Sequence, residues 1–337
     1  MADTLAVGKL DMEFLAALLE QYTRIDDERV VVGPRVGEDA LVIEFGDHFL
    51  VAKTDPITFA TDEIGWYAVN VNANDIATFG VDPLFLFSCI MLPENGAKET
   101  VEAICTQMDA AAKELGIAIV GGHCESTPGL KNPIVVGCVM GLTEKGDYVT
   151  AGGAQAGDKL ILTKSAGIEG TAILASDREQ QLASIMGSSM LADAKNFYRQ
   201  ISVVKDALTA YKTGGVHAMH DPTEGGVAGG IHEMSDASQL GVKIFEEKIG
   251  VEPETAKICR YFEIDPFQLI GSGALLISAE PEKATAILDN LAKAHLYAAV
   301  IGEFHGNVNK RLLVKADGNV QDLPRPVSDH LWAALAH

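Results

Sequence analysis

The stretch AVNVNANDIATFGVDP, residues 68–83, decides how the first half of this chain is read. At about 100° per residue, Trp66, Val69, Ala73, Ile76 and Ala77 fall in one arc, a stripe that would face a core. Asn70, Asn74, Tyr67 and Thr78 share the opposite side, with Asp75 beside them and Asn72 at the edge. Asn and Asp are poor helix formers, and no Lys, Arg, Glu or Gln makes this an ordinary solvated face. Short oxygen-bearing side chains lose little entropy when ordered around an ion or phosphate. The same side chains also cap neighbouring loops, and the helix alone leaves both readings open.

Outward from this helix the elements alternate. Before it, ALVIEFGDHFLVAKTD holds two apolar runs around Gly46-Asp47, a hairpin signal, and an amphipathic helix lies near residues 11–22. After it come a buried strand (PLFLFSCIML), an amphipathic helix ending at Gly116, and two strands, IAIVGG and PIVVGCVMGL. The texture changes at YVTAGGAQAGDKLILT, which places a boundary between domains 1–150 and 151–337. The second half predicts a strand at Lys159–Thr163, helices near 169–176, 180–195 and 201–212, and further strands at ALLIS and YAAVIGEF around a helix. The fold class is a two-domain mixture of α/β and α+β.

The 47 acidic and 26 basic residues leave a net charge of −21, which disfavours nucleic acid and anionic membranes as partners. A phosphate substrate would then need a metal ion between it and the protein. No apolar run is long enough to span a membrane, and the first residues lack a signal-peptide pattern. The five cysteines (Cys89, Cys105, Cys124, Cys138, Cys259) include no CxxC pair. Reduced thiols in a cytoplasm are the expectation, rather than a disulfide framework or zinc ribbon.

Carboxylates stand at element ends: Glu38-Asp39 just before a strand, and Asp55 just after one, with Pro56 forcing an extended turn. With Asp75 these are the raw material of a Mg²⁺ site, provided that they converge. In IVGGHCESTPG (119–129), Gly121 and Gly122 let backbone approach a ligand, and His123 or Glu125 could join the metal. Cys124 adjoins His123, but adjacency is not activation. Gly167 and Gly170 precede a helix, a weak anion-site signal against plain loop glycines. In HDPTEGGVAGGIHEM, Asp221 ends a strand, Thr223 reads as an N-cap, and Gly225, Gly226, Gly229 and Gly230 indicate close approach of a ligand or another helix. His217 and His220 have metal-pair spacing, but i and i+3 on a strand face opposite ways, so a zinc pair is excluded. Neither a P-loop nor a strand-borne GxGxxG is present.

The ordered set GEDALVI, KTDP, AVNVNANDIATFGVDP, GGHCESTPG, SAGIEGTAIL and DPTEGGVAGGIHEM resembles the aminoimidazole ribonucleotide (AIR) synthetase, or PurM-like, superfamily. Within it the chain is most similar to the HypE family of hydrogenase maturation. The resemblance implies an N-terminal α/β domain that dimerises into a shared β-barrel, and a C-terminal α+β domain. It implies ATP and Mg²⁺ as cofactors, with Asp39, Asp55 and Asp75 on the metal. Asn74, Gly121, Gly122, His123, Asp221 and Thr223 would border the nucleotide. The implied activity is phosphorylation of a carbonyl or amide oxygen, on a small molecule or a carrier protein, by a homodimer. A small-molecule kinase of the thiamine-phosphate kinase type and a non-catalytic nucleotide-binding scaffold are the alternatives. Two departures stand out. No cysteine follows Cys259, although HypE proteins carry their substrate on a C-terminal one, and His123 stands where the family tends to have Asp.

Overall fold

The computed structural model describes residues 12–22, 27–34, 38–58 and 61–336; Asp11 of the first expected helix, Gly37 of GEDALVI and His337 lie outside them. Helix α1 (Met12–Tyr22) is followed by strands β1 (Val30–Val32), β2 (Leu41–Phe45) and β3 (His48–Ile57). The β2–β3 hairpin turns at Gly46, where φ of +63° suits glycine. Helix α2 (Ile64–Ala77), strand β4 (Pro83–Leu92), helix α3 (Lys98–Leu115) and strands β5 (Ala118–Ser126) and β6 (Ile134–Glu144) complete the first half. Among the described residues these strands form one six-stranded sheet in the order β1-β2-β3-β6-β4-β5, antiparallel except for the β4–β5 pair.

The second half holds β7 (Lys159–Thr163), α4 (Ile168–Asp177), α5 (Glu179–Met186), α6 (Ser188–Lys195), α7 (Val204–Thr213) and β8 (Val216–His220). It continues with α8 (Gly226–Ser238), β9 (Gly241–Phe245), α9 (Pro253–Phe262) and β10 (Leu276–Ala279). Last come α10 (Pro281–Lys293), β11 (Ala298–His305), β12 (Arg311–Val314), β13 (Val320–Asp322) and α11 (His330–Ala336). A seven-stranded sheet runs β13-β12-β9-β11-β7-β10-β8, with β12–β9 its parallel pair. The expected mixed two-domain fold is therefore present. Strands β1, β9, β12 and β13 and helices α9 and α11 add to it.

Every residue of helix α2 is buried, because it is packed between β3 and β6, α3 and α7. Three local expectations are corrected. Strand β3 does not stop at Asp55 but runs to Ile57. Pro56 is tolerated there because, among the described residues, the strand's β2 side is unpaired beyond Ala52, so no donor is required. The 180–195 helix breaks in two at Gly187, whose φ is +76°. The N-cap of α8 is Gly225 rather than Thr223; the Thr223 carbonyl instead accepts from the amides of Gly226 and Gly271.

Candidate functional site

Successive residues of a strand point to opposite faces, and β3 uses both. Lys53 and Asp55 turn toward α2: the Lys53 Nζ lies 3.4 Å from Asp75 Oδ2 and 3.7 Å from Asp55 Oδ2. Thr54, between them, turns to the other face and donates to the Gly137 carbonyl. That outer face is concave, about 540 Å³, with Thr54, Phe87, Cys89, Gly121, His123 and Cys138 among its walls.

Two of the asparagines on α2 act as brackets. Asn72 accepts from the Asp55 amide (2.8 Å) and donates to the Asp55 and Ala68 carbonyls, which fixes the backbone that carries Asp55. Asn74 donates to the Ile201 carbonyl (2.9 Å) and accepts from the Val203 amide (2.8 Å). Its amide therefore ties α2 to the second sheet's domain, and its polar atoms are engaged there. Trp66 adds a tie by donating from Nε1 to the Tyr198 carbonyl.

The second domain meets this face of β3 through the end of β8. His220 Nδ1 lies 2.8 Å from Asp39 Oδ2, and its Nε2 lies 2.8 Å from Glu233 Oε2 on α8. Asp221 follows, 1% exposed, and neither of its carboxylate oxygens has a hydrogen-bond partner among the described residues. One ligand atom each from Asp39, His220 and Asp221 lies within 4.8 Å of the others. His217 points away, to Asp158 and Glu280, as strand alternation requires.

The charges in this cleft act on one another. Burial pushes the Asp75 pKa well up; Lys53 pulls it down, while Asp221, Asp55 and Asp39 add to the rise. Burial likewise pushes Asp221 up to about 7, and Asp39 and Asp55 add to it against His220 and Lys53. Burial works against the Lys53 ammonium, but Asp75, Asp55, Asp39 and Asp221 outweigh it and raise its pKa. Burial also works against the His220 imidazolium, which Asp39 and Glu233 hold charged. Carboxylates converging from two domains, with orphaned oxygens and too little positive charge, suit a divalent cation. Asp75 Oδ2, which also lacks a hydrogen bond, faces the same space.

The structure thus brings Asp39, Asp55, Asp75 and Asp221 together. It does not bring Gly121 and His123 to them within one chain: both lie on the outer face of the first sheet, on exposed β5. His123 instead contacts Glu125, at 3.2 Å. Burial pushes the Cys124 thiol up, the reverse of an activated thiolate. Two glycines of the second domain, Gly170 and Gly226, admit the chain's own segment around Phe267 and Leu269. A Cβ at Gly226 would meet the carbonyls of Leu269 at 2.5 Å and Phe267 at 2.7 Å, and one at Gly170 would meet Leu269 Cγ at 2.4 Å. A separate buried acid, Glu169 in the first turn of α4, has an unpartnered Oε2. Burial pushes it up to about 7 against a bond from Ser272, and Asp329 and Glu224 add to the rise.

Sequence reasoning missed Lys53, His220 and Glu233. Lys53 carried a usable signal, since it shares a strand face with Asp55 two residues on. His220 was judged only against His217, although its neighbour Asp221 was already a candidate.

Comparison with known proteins agrees with the two-part architecture. The model described as AIR synthase related protein, N-terminal domain, matches residues 37–143, and its C-terminal counterpart matches 155–315. A Methanocaldococcus jannaschii protein named for hydrogenase expression and formation is 28% identical over 304 residues, 88% of each chain. The carbamoyl dehydratase HypE of Escherichia coli is 28% identical over 282 residues, 82% of this chain and 80% of that one. The HypE–HypF complex structure contains a chain that superimposes with a TM-score of 0.78 at 26% identity, covering 92% of this chain and all of that one.

Proposed function

The chain belongs to the AIR synthase related family, and from that premise we propose that it is an ATP- and divalent-cation-dependent enzyme. Its reaction is phosphorylation of a carbonyl or amide oxygen, followed by loss of phosphate with dehydration or ring closure. The observation that carries this reading is the convergence of Asp39, Asp55, Asp75 and Asp221 from both domains around Lys53. These carboxylates would hold the cation, Mg²⁺ in the family reading, that links the protein to the phosphates of the nucleotide. The cation would supply charge neutralisation for phosphoryl transfer. Lys53 opposes the upward push of burial on Asp75 and Asp221 and offers an ammonium to a phosphate oxygen. Asn74 and Asn72 act through the backbone, by holding the domains and β3 in register. Thr223 shapes the turn after Asp221. Relatives named carbamoyl dehydratase favour an amide-type acceptor, on a small molecule or carrier protein. A homodimer is part of the proposal, supported by exposed apolar side chains on β4, β5 and β6: Phe85, Phe87, Ile119, Val120 and Leu142.

The test is product analysis after incubation with ATP, Mg²⁺ and a panel of small amides and carbonyl compounds. Free phosphate, ADP and a dehydrated or cyclised product support the proposal. A phosphorylated acceptor without free phosphate identifies a small-molecule kinase instead. Nucleotide binding without ADP formation leaves the scaffold reading. Asp75→Ala should lower phosphate release at least about 100-fold, and unchanged turnover in that variant would remove the site assignment.

A further inference from the structure

Resting on that reading, we propose that His220 is itself a metal ligand, and that the Asp39–His220–Asp221 cluster takes a transition-metal divalent ion such as Mn²⁺ in preference to Mg²⁺. Three observations converge. The first is the donor set: one ligand atom from each of the three residues falls within a sphere of 4.8 Å. His220 Nδ1 and Asp39 Oδ2 are 2.8 Å apart. Two ligands bound at roughly 2.1 Å and at right angles would be about 3 Å apart, so an ion could span the pair with little rearrangement.

The second is the far side of the ring. His220 Nε2 lies 2.8 Å from the Glu233 carboxylate, and Glu233 comes from α8, not from the cluster itself. A metal-bound histidine characteristically donates its other ring N–H to a carboxylate, which fixes its tautomer and orientation. Glu233 occupies that position, and the ring is 3% exposed, so it has no rotational freedom to lose.

The third is Asp221, 1% exposed, with both oxygens unpartnered beside the ring. A buried carboxylate with no hydrogen bond on either oxygen is a donor pair that suits a cation. Oxygen-only donors suit Mg²⁺, whereas an imidazole in the set shifts preference toward Mn²⁺, Fe²⁺ or Zn²⁺. Binding would displace the Nδ1 proton to solvent, while the Nε2 proton stays shared with Glu233. The metal carries its own charge into the cleft, so nothing is oxidised or reduced.

Pulsed EPR of the full chain loaded with Mn²⁺ tests this directly. The expected spectrum contains nitrogen hyperfine coupling from a bound imidazole, which changes on labelling with ¹⁵N-histidine and vanishes in His220→Asn. In Mg²⁺ competition, His220→Asn should weaken Mn²⁺ binding and Glu233→Gln should do the same while keeping the nitrogen coupling, each by about 10- to 100-fold. Retained Mg²⁺ binding reports that the variants fold. Absence of nitrogen coupling, or unchanged Mn²⁺ affinity in His220→Asn, overturns the inference. Asp221→Asn separates the two levels of the argument. If it abolishes metal binding but the wild type shows no nitrogen coupling, only the role of His220 falls. If it binds both metals as the wild type does, the cation site falls with it.

Discussion

Replacing Asp221 with Asn should make the metal-free protein more stable and should remove the stabilisation that a divalent cation gives the wild type. In the absence of a cation the wild type buries a carboxylate whose two oxygens have no partner. Its pKa is pushed from an ordinary 3.8 to about 7 by burial first and then by Asp39. At 1.36 kcal/mol per pH decade, that rise costs the folded state about 4 kcal/mol once Asp221 is ionised. The sign follows from proton counting. Between pH 3.8 and about 7 the folded chain keeps a proton that the unfolded chain has released, so stability falls as pH rises through that window. The neutral amide of Asn carries no such penalty. Urea denaturation in chelator should therefore find the variant more stable than wild type at pH 8 by up to about 4 kcal/mol, with the gap closing toward pH 4. Saturating divalent cation should close most of that gap. At 100 times its dissociation constant it adds about 2.7 kcal/mol to a protein that binds it and nothing to one that does not. A variant no more stable than wild type in chelator at pH 8, or stabilised equally by the metal, would refute the reasoning.

Two further outcomes follow from the same geometry. Asn74→Ala strands the buried Val203 amide and Ile201 carbonyl and should cost about 2–4 kcal/mol in chemical denaturation; a loss below about 0.5 kcal/mol would show that the interdomain tie lies elsewhere. Glu169 rises from 4.5 to about 7, so its penalty also grows as pH climbs through that window. The stability of Glu169→Gln relative to wild type should increase by about 3 kcal/mol between pH 5 and pH 8, and a flat difference would contradict it.

Much of this was legible in the chain because it rests on local chemistry. The glycine at 46 and the alternation around it define a hairpin, and Gly116, at φ of +73°, ends α3. The acids at 39 and 55 stand out because they flank apolar strand runs, and Asp75 because it shares a helix face with short amides, although their convergence is not written in the sequence. The all-round burial of α2 was not legible, since a helical wheel sees only intrinsic periodicity and elements distant in sequence cover the helix. Nor was the pairing of His220 with Asp39, which are 181 residues apart and joined only when the two domains dock. Gly121 and His123 lie apart from these acids within one chain, on the outer face of the first sheet, a separation that local sequence does not encode.

Strand β3 carries Lys53 and Asp55 of the cation site on one face and Thr54, a wall residue of the outer concavity, on the other. The two surfaces are therefore inherited together. Point substitutions in 48–57 can retune either one alone, because each residue belongs to a single face. A one-residue insertion or deletion would exchange them, turning Lys53 and Asp55 outward and Thr54 toward α2. Homologues should accordingly vary in the letters of this segment far more freely than in its length, and a laboratory library built on it should substitute rather than insert.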